Sequence, residues 1–155
     1  MLMISTNPLC RGFTLIELVM VLMIAGIMAA YAAPRWLGSE PLLEPQQRLL
    51  ARDLRHAQSM AMTQGRRLNF EVIAGGYQIT DDTLAIINDP ARGASFQINL
   101  DPDLSISGSN FSFDSLGRPT DGSALLAAAL TQTLSTSSAS TTVSVAPLSG
   151  FVSAP

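Results

Sequence analysis

The stretch Cys10–Pro34, CRGFTLIELVMVLMIAGIMAAYAAP, decides how this chain is built. Between Phe13 and Ala33 every residue is apolar or small except Thr14 and one acid, Glu17. As an α-helix these 21 residues would be about 31 Å long, which matches the hydrocarbon core of a bilayer. A carboxylate at the centre of such a helix costs about 2.5–3.5 kcal/mol, and less toward its ends. The pattern therefore predicts one transmembrane segment whose acid needs an explanation.

The chain has 155 residues, which is enough for one modest domain in addition to this segment. Cys10 is the only cysteine, so no disulfide can form within the chain. All nine basic residues are arginines, and five of them lie between residues 48 and 67. Residues 68–155 hold two arginines and eight acids. A basic segment thus follows the apolar run, and the distal part is acidic.

Two ordinary interpretations of the apolar run are open. A secretory signal peptide would be cleaved after the small-x-small sequence at residues 30–32, leaving Pro34 two residues past the cut. The run exceeds the roughly 7–15 apolar residues of a signal peptide, however, and Glu17 interrupts it. A plain uncleaved anchor accounts for the length of the run but leaves Glu17 unexplained.

The segment RGFTLIELVMVLMIAGIMAAYAAPRW resembles the type IV prepilin signature shared by type IV pilins and type II secretion pseudopilins. The resemblance consists of a short leader ending at Gly12, then Phe13, then Glu17 as the fifth residue of the mature chain. Gly26 and Pro34 stand at the family's usual places. It implies cleavage between Gly12 and Phe13 by a membrane-embedded prepilin peptidase, followed by N-methylation of Phe13.

The resemblance also implies a role for the acid. In the family this glutamate is thought to pair with the N-terminal amine of a neighbouring subunit, here the amine of Phe13. A lone buried charge is penalised strongly, whereas a paired one is tolerated. We therefore expect Glu17 to be an assembly residue. Gly26 and Pro34 would allow the helix to loosen during assembly, or they are an ordinary membrane-helix glycine and a proline at the bilayer exit.

Beyond a Gly-Ser-Pro-containing joint, LGSEPLLEP at residues 37–45, helical periodicity runs from Gln46 to Gln64. One face collects the apolar residues Leu50, Leu54, Ala57 and Ala61. A second face carries an arginine stripe, defined as Arg48, Arg52 and Arg55. The stripe has three interpretations: a solvated helix face, contact with anionic lipid or acidic neighbouring subunits, or nucleic-acid binding. The acidic distal part argues against nucleic acid as a partner.

The remaining residues follow the period of two that is typical of strands. LNFEVIAGGYQIT (68–80) predicts a hairpin, and short strands are expected at 95–100, 104–107, 111–113 and 141–146. ALLAAALTQTL (124–134) has helical propensity in a strand setting, and we assign it as strand.

FSFDSLGRP (111–119), together with PLSGFV (147–152), is similar to minor pilins of the GspH and FimT group, and within it to the MshC-type subunits of MSHA pilus biogenesis. Physically, this pattern predicts a strand leading into a tight turn. Asp114 would accept backbone hydrogen bonds, Gly117 would take a positive φ, and Pro119 would restart an extended segment.

Catalytic and metal-binding chemistry find little support in the sequence. His56, the only histidine, is interpreted as a surface or partly packed residue. Asp81–Asp82 and the pair Asp101 and Asp103 are interpreted as turn-forming or solvated acids rather than a calcium site. We expect no enzyme activity, no cofactor and no metal.

The resulting prediction is an α+β, pilin-like chain. A long N-terminal helix, with a membrane half and a periplasmic amphipathic half, would pack on antiparallel β-sheet. Residues 1–12 form the leader, 13–33 the transmembrane and assembly helix, 34–64 the joint and amphipathic helix, and 65–155 the periplasmic β-rich domain. The family resemblance implies a minor pilin or pseudopilin in the bacterial inner membrane, then in a filament. Its partners would be prepilin peptidase, other pilin subunits and the assembly platform; the alternative is an adhesin or DNA-uptake pilin.

Overall fold

The computed structural model describes residues 14–32 and 40–154, and the chain divides into two units, residues 1–37 and 38–155. In the first unit, helix α1 spans Leu15–Ala32. Within the described ranges, no helix combines the length and the apolar character needed to cross a membrane. The predicted transmembrane segment, whose end residues Phe13 and Ala33 lie outside the described residues, stays a prediction.

The second unit begins with helix α2, Glu40–Gln64. It ends where predicted but starts six residues early, so the predicted joint was wrong from Glu40 onward. Pro45 lies in the second turn, where its missing N–H removes one intrahelical hydrogen bond. Tertiary packing outweighs this loss, because Leu43 is buried and the Gln47 side chain donates to the carbonyl of Thr142 at 2.8 Å.

Eleven short strands follow α2 in the described residues and form three antiparallel sheets. Their bounds are β1 Leu68–Ile73, β2 Gly76–Thr80, β3 Asn88–Asp89, β4 Ala94–Ser95, β5 Gln97–Asn99, β6 Ser105–Ser107, β7 Phe111–Phe113, β8 Pro119–Thr120, β9 Leu130–Ser135, β10 Ser140–Val145 and β11 Val152–Ser153. One sheet has the order β5-β2-β1-β7-β8, the second β11-β10-β9-β6, and β3 and β4 form a separate pair.

Most strands lie where the sequence predicts them. The β1–β2 hairpin is confirmed, with a two-residue turn that ends at Gly75, whose φ is +78°. The strand predicted at 95–100 is interrupted at Phe96, which is fully buried while its backbone bonds to Ile79 and Ile87. The strand predicted at 124–134 was wrong for residues 124–129, which are irregular before β9 begins.

The core lies between α2 and the two larger sheets. The predicted apolar face of α2 is confirmed: its four residues are at most 1 % exposed. They pack with a chain of aromatic rings whose centroids are 5.2–5.5 Å apart, formed by Tyr77, Phe70, Phe111 and Phe113. The predicted α+β architecture, an N-terminal helix packed on antiparallel sheet, is confirmed.

The outward face of the four-stranded sheet carries hydroxyl side chains and no charge. Cross-strand pairs align these side chains in rows, which consist of Ser153, Ser144 and Thr131; Thr142, Thr133 and Ser107; and Ser140, Ser135 and Ser105. This face of the four-stranded sheet therefore offers hydrogen-bonding groups and no ion pairs.

Candidate functional site

Glu17, the predicted assembly residue, lies exposed in the first turn of α1. Its backbone N–H donates to the hydroxyl of Thr14 at 3.3 Å, so Thr14 caps the helix. The pair has the T-x-x-E spacing of a capping box, and the helix dipole favours a carboxylate at this end. Thr14 thus provides a local cap at the start of α1, which the sequence interpretation missed.

The apolar side chains of α1 surround the whole helix and are exposed. Leu15 is 81 % exposed, Ile16 76 % and Met28 69 %. A helix that is hydrophobic on all sides requires cover from lipid or from other protein. This makes α1 a segment suited to association.

Of the other predicted residues of this segment, the structure describes only Gly26. Gly12, Phe13 and Pro34 lie outside the described residues. Gly26 lies in α1, and a Cβ built there would meet nothing within 4 Å among the described residues. Its role in loosening the helix stays a prediction.

The arginine stripe lies on the exposed side of α2, as the first of its three interpretations expects. Arg48 pairs with Glu44 one turn earlier, and both side chains are largely exposed. Arg52 contacts Asp53 at 3.0 Å while 62 % of its side chain stays exposed. Arg55 donates to the carbonyl of Val152 in β11 at 2.9 Å.

A buried carboxylate network joins α2 to the strands, and the sequence interpretation missed it. The Asp53 side chain is 3 % exposed and accepts hydrogen bonds from the hydroxyl of Tyr77 at 2.8 Å and from Arg92 at 2.9 Å. Burial, and then the charge of Asp53, raises the pKa of Tyr77 and keeps its hydroxyl a donor. The one signal in the sequence was an acid placed between Leu50 and Leu54 on the apolar side of a helix.

His56 and Asp89 extend this network, because Nε of Arg92 lies 3.4 Å from the carboxylate of Asp89. His56 is partly packed, as predicted: its ring centroid lies 5.9 Å from that of Phe96, and its Nε2 lies 3.3 Å from Asp89. Asp81 and Asp101 accept backbone hydrogen bonds within their own turns, as predicted. In the described ranges, no group of three histidine, cysteine or acidic residues could hold a metal ion.

The predicted turn after β7 is confirmed in each detail. The carboxylate of Asp114 accepts hydrogen bonds from the backbone N–H groups of Leu116 at 2.9 Å and Arg118 at 2.8 Å. Partial burial acts to raise the pKa of Asp114. The hydrogen bonds and the Arg118 side chain outweigh it and hold this pKa below its usual value. Gly117 has a φ of +76°, and Pro119 begins β8.

Gln58 ties this turn to α2 and to a second turn. Its side-chain amide donates to the carbonyl of Gly117 at 2.8 Å and to that of Ser149 at 3.0 Å. At Gly150 in the second turn, a Cβ would lie 2.3 Å from the Gly117 oxygen. The two segments that resemble minor pilins, 111–119 and 147–152, are therefore in contact through Gln58 and the two glycines.

Comparison with known proteins identifies two family matches. The prokaryotic N-terminal methylation motif matches residues 7–33, and the type II transport protein GspH family matches residues 46–149, about two-thirds of the chain. No curated protein matches the chain in sequence.

Two crystal forms of the type IV minor pilin FimU from Pseudomonas aeruginosa are similar in structure. One is 15 % identical with a TM-score of 0.55, and the alignment covers 73 % of this chain and 92 % of FimU. The other is 14 % identical with a TM-score of 0.54, covering 76 % and 90 %. At this identity the likeness shows the fold, and the predicted pilin-like fold is confirmed.

The family match and the structural match agree, since both the family and the fold are those of structural pilins. The methylation motif is that of membrane-anchored pilus subunits, which associate with other pilin subunits and with an assembly machinery. They do not distinguish the MshC-type subunits from other minor pilins, or a pilus from a secretion filament. The chain belongs to the type II transport protein GspH family and is a pilin-like subunit of the minor type IV pilin and pseudopilin class.

Proposed function

We propose that this chain is a non-enzymatic subunit of a type IV pilus or a type II secretion filament, with the MSHA-type pilus as the more specific candidate. Prepilin peptidase cleaves between Gly12 and Phe13, and Phe13 is then N-methylated. Before assembly the chain resides in the bacterial inner membrane through residues 13–33, with residues 65–155 in the periplasm. An inner-membrane assembly platform then inserts it into the filament.

One observation carries this proposal: an N-terminal methylation motif and a GspH domain follow each other in one chain. Exposed apolar side chains around α1 support it, because they require cover from lipid or neighbouring helices. Glu17 pairs with the amine of Phe13 on a neighbouring subunit, which removes the penalty of an isolated charge in apolar surroundings.

The first test is mass spectrometry of the N-terminus of the chain purified from its host. N-methyl-Phe13 is the expected terminus. A terminus at Ala33 would instead indicate a secretory signal peptide and would refute the proposal. Gly12→Val should leave the full-length precursor in the membrane, seen as an unshifted band on a gel, whereas Gly26→Ala should be processed normally.

The second test separates the charge of Glu17 from the helix cap that Thr14 provides. Glu17→Gln removes the charge but keeps a side chain that suits a capping box. Thr14→Ala removes the cap and keeps the charge. We expect Glu17→Gln and Glu17→Ala to be processed but poorly incorporated into filaments, and Thr14→Ala to be incorporated close to wild type. Equal defects in Thr14→Ala and Glu17→Gln would point to helix capping alone.

The alternative function, surface or DNA binding, gains no support from the stripe, since each arginine has a partner within the chain. DNA retention and filament counts in a deletion strain would distinguish the two functions.

A further inference from the structure

A groove with a volume of about 270 Å³ lies on the outer face of the five-stranded sheet, and we call it the sheet groove. Its floor is formed by β1 and β7, where Asn69 stands opposite Ser112 in the antiparallel register. The turn 81–85 follows β2 on one side of this floor, and the turn 121–124 follows β8 on the other. The groove is slightly smaller than the roughly 300–1,000 Å³ pockets that hold drug-sized ligands, so it suits a smaller molecule.

The rim of the sheet groove carries hydrogen-bond donors that the fold leaves open. The Arg67 guanidinium, which can only donate, gives one N–H to the carbonyl of Gly122 at 3.0 Å. The side-chain oxygen of Asn110 accepts the backbone N–H of Val72 at 2.9 Å, which fixes this side chain in place. The NH₂ group of Asn110 has no partner in the described part of the chain. Arg67 and Asn110 therefore offer donors to a bound molecule.

Asp121 offers the matching acceptor. Its Oδ1 accepts the backbone N–H groups of Ala124 at 2.8 Å and Ser123 at 2.9 Å, which hold its pKa below the usual value and keep the carboxylate ionised. Asp121 and Arg67 line the same groove but form no ion pair with each other. Because these two charges do not neutralise each other, both stay available to a third group.

One apolar side chain lies on the rim in a strained backbone conformation. Leu84 has a φ of +63° and is 69 % exposed. This left-handed conformation is unfavourable for a bulky residue, and an exposed leucine gains little from burial. The turn does not depend on the leucine, because the Asp81 carboxylate accepts the N–H groups of Thr83 at 2.9 Å and Ala85 at 3.1 Å. Strained residues of this kind cluster at ligand-binding sites.

We propose that the sheet groove binds one ring of a neutral saccharide. A sugar hydroxyl both donates and accepts, so neighbouring hydroxyls accept from Arg67 and Asn110 and donate to Asp121. The C–H face of the ring packs on Leu84. A simple anion would be repelled by Asp121 and Glu71, and a simple cation by Arg67, whereas an uncharged polyol meets neither repulsion. Sugar binding by the purified chain needs no filament, so it is tested independently of the proposed function.

Binding is measured on the full chain in a sugar-free detergent, by saturation-transfer NMR with D-glucose, D-galactose, D-mannose and N-acetyl-D-glucosamine. At least one sugar should bind with a Kd on the order of 1 mM. Asp121→Asn keeps the oxygen that holds its turn but replaces the free acceptor with a donor, and should weaken binding about tenfold. Asp101→Asn makes the same change in a turn outside the groove and should leave binding unchanged. Absence of saturation transfer to all four sugars, or equal Kd values for Asp121→Asn and wild type, would overturn the proposal.

The strain at Leu84 separates ligand contact from a merely structural role. Asparagine adopts the left-handed conformation more readily than leucine, so Leu84→Asn should raise Tm while it weakens sugar binding several-fold. Leu148→Asn is the control, because Leu148 has a φ of +62° and is 61 % exposed but does not line the groove. It should raise Tm and leave binding unchanged. Wild-type affinity in Leu84→Asn, or an equal loss of affinity in both variants, would also overturn the proposal.

Discussion

The contact between the two minor-pilin turns can be tested at Gly150, with Gly93 as a matched control. Gly150 has a φ of +67° and Gly93 a φ of +66°, so an alanine at either position meets the same backbone strain. Only Gly150 is crowded: a Cβ there would lie 2.5 Å from the Gln58 amide nitrogen and 2.3 Å from the Gly117 oxygen, whereas at Gly93 it would meet nothing within 4 Å.

The expected magnitudes follow from these distances. Left-handed strain costs each alanine variant about 1–2 kcal/mol. In Gly150→Ala the Gln58 side chain must also leave, and its two hydrogen bonds contribute about 0.5–1.5 kcal/mol each. Gly150→Ala should therefore lower the free energy of unfolding by at least about 1–3 kcal/mol more than Gly93→Ala, because the clash with the Gly117 oxygen adds to the loss of these bonds. Since the second unit spans residues 38–155, that difference corresponds to roughly 3–15 °C in Tm.

The assay is thermal unfolding of the full chain in detergent, followed by circular dichroism. Gln58→Ala provides a second measurement, because combining it with Gly150→Ala should cost less than the sum of the two changes. Equal losses in Gly150→Ala and Gly93→Ala would refute the reasoning. So would strict additivity of Gln58→Ala and Gly150→Ala.

Three further predictions concern the core, the buried network and the turns. Leu54→Ala should destabilise the chain by about 2–5 kcal/mol in the same unfolding assay, whereas Ser59→Ala, at an exposed position of α2, should have little effect. Tyr77→Phe should cost about 1–3 kcal/mol in that assay, because Asp53 loses a buried hydrogen-bond donor. Backbone hydrogen bonds from Ala124 and Ser123 lower the pKa of Asp121 from 3.8 to about 2, so its contribution to stability is present above pH 4 and is lost as the pH falls toward 2. Asp121→Asn should accordingly lose less Tm than wild type between pH 4 and pH 2, and identical acid profiles would contradict this.

The features that the sequence predicted correctly are set by residues that lie close together in the chain. The turn after β7 was predictable because Asp114, Gly117 and Pro119 act within six residues of one another. The apolar face of α2 was predictable because helical spacing alone places Leu50 and Leu54 on one side. Glu17, in contrast, follows from a family motif, and its contact with Thr14 was readable from the T-x-x-E spacing but was missed.

The errors have non-local causes. Helix α2 extends through Pro45 because Leu43 and Gln47 find partners that are distant in sequence. Phe96 leaves its strand because its ring enters the core. Residues 124–129 are irregular although both helix and strand were plausible from local propensity alone. In each case a long-range contact, or its absence, decided between conformations of similar local free energy.

The two stretches of this sequence that resemble minor pilins depend on both local and long-range contacts. Asp114 stabilises the first turn through hydrogen bonds within that turn. The second turn contains its own left-handed glycine, Gly150. Neither turn by itself requires Gln58, yet the amide of Gln58 reaches both carbonyls only when Gly117 and Gly150 lie close together. The two motifs therefore form one structural element, and α2 is the part of the chain that positions it.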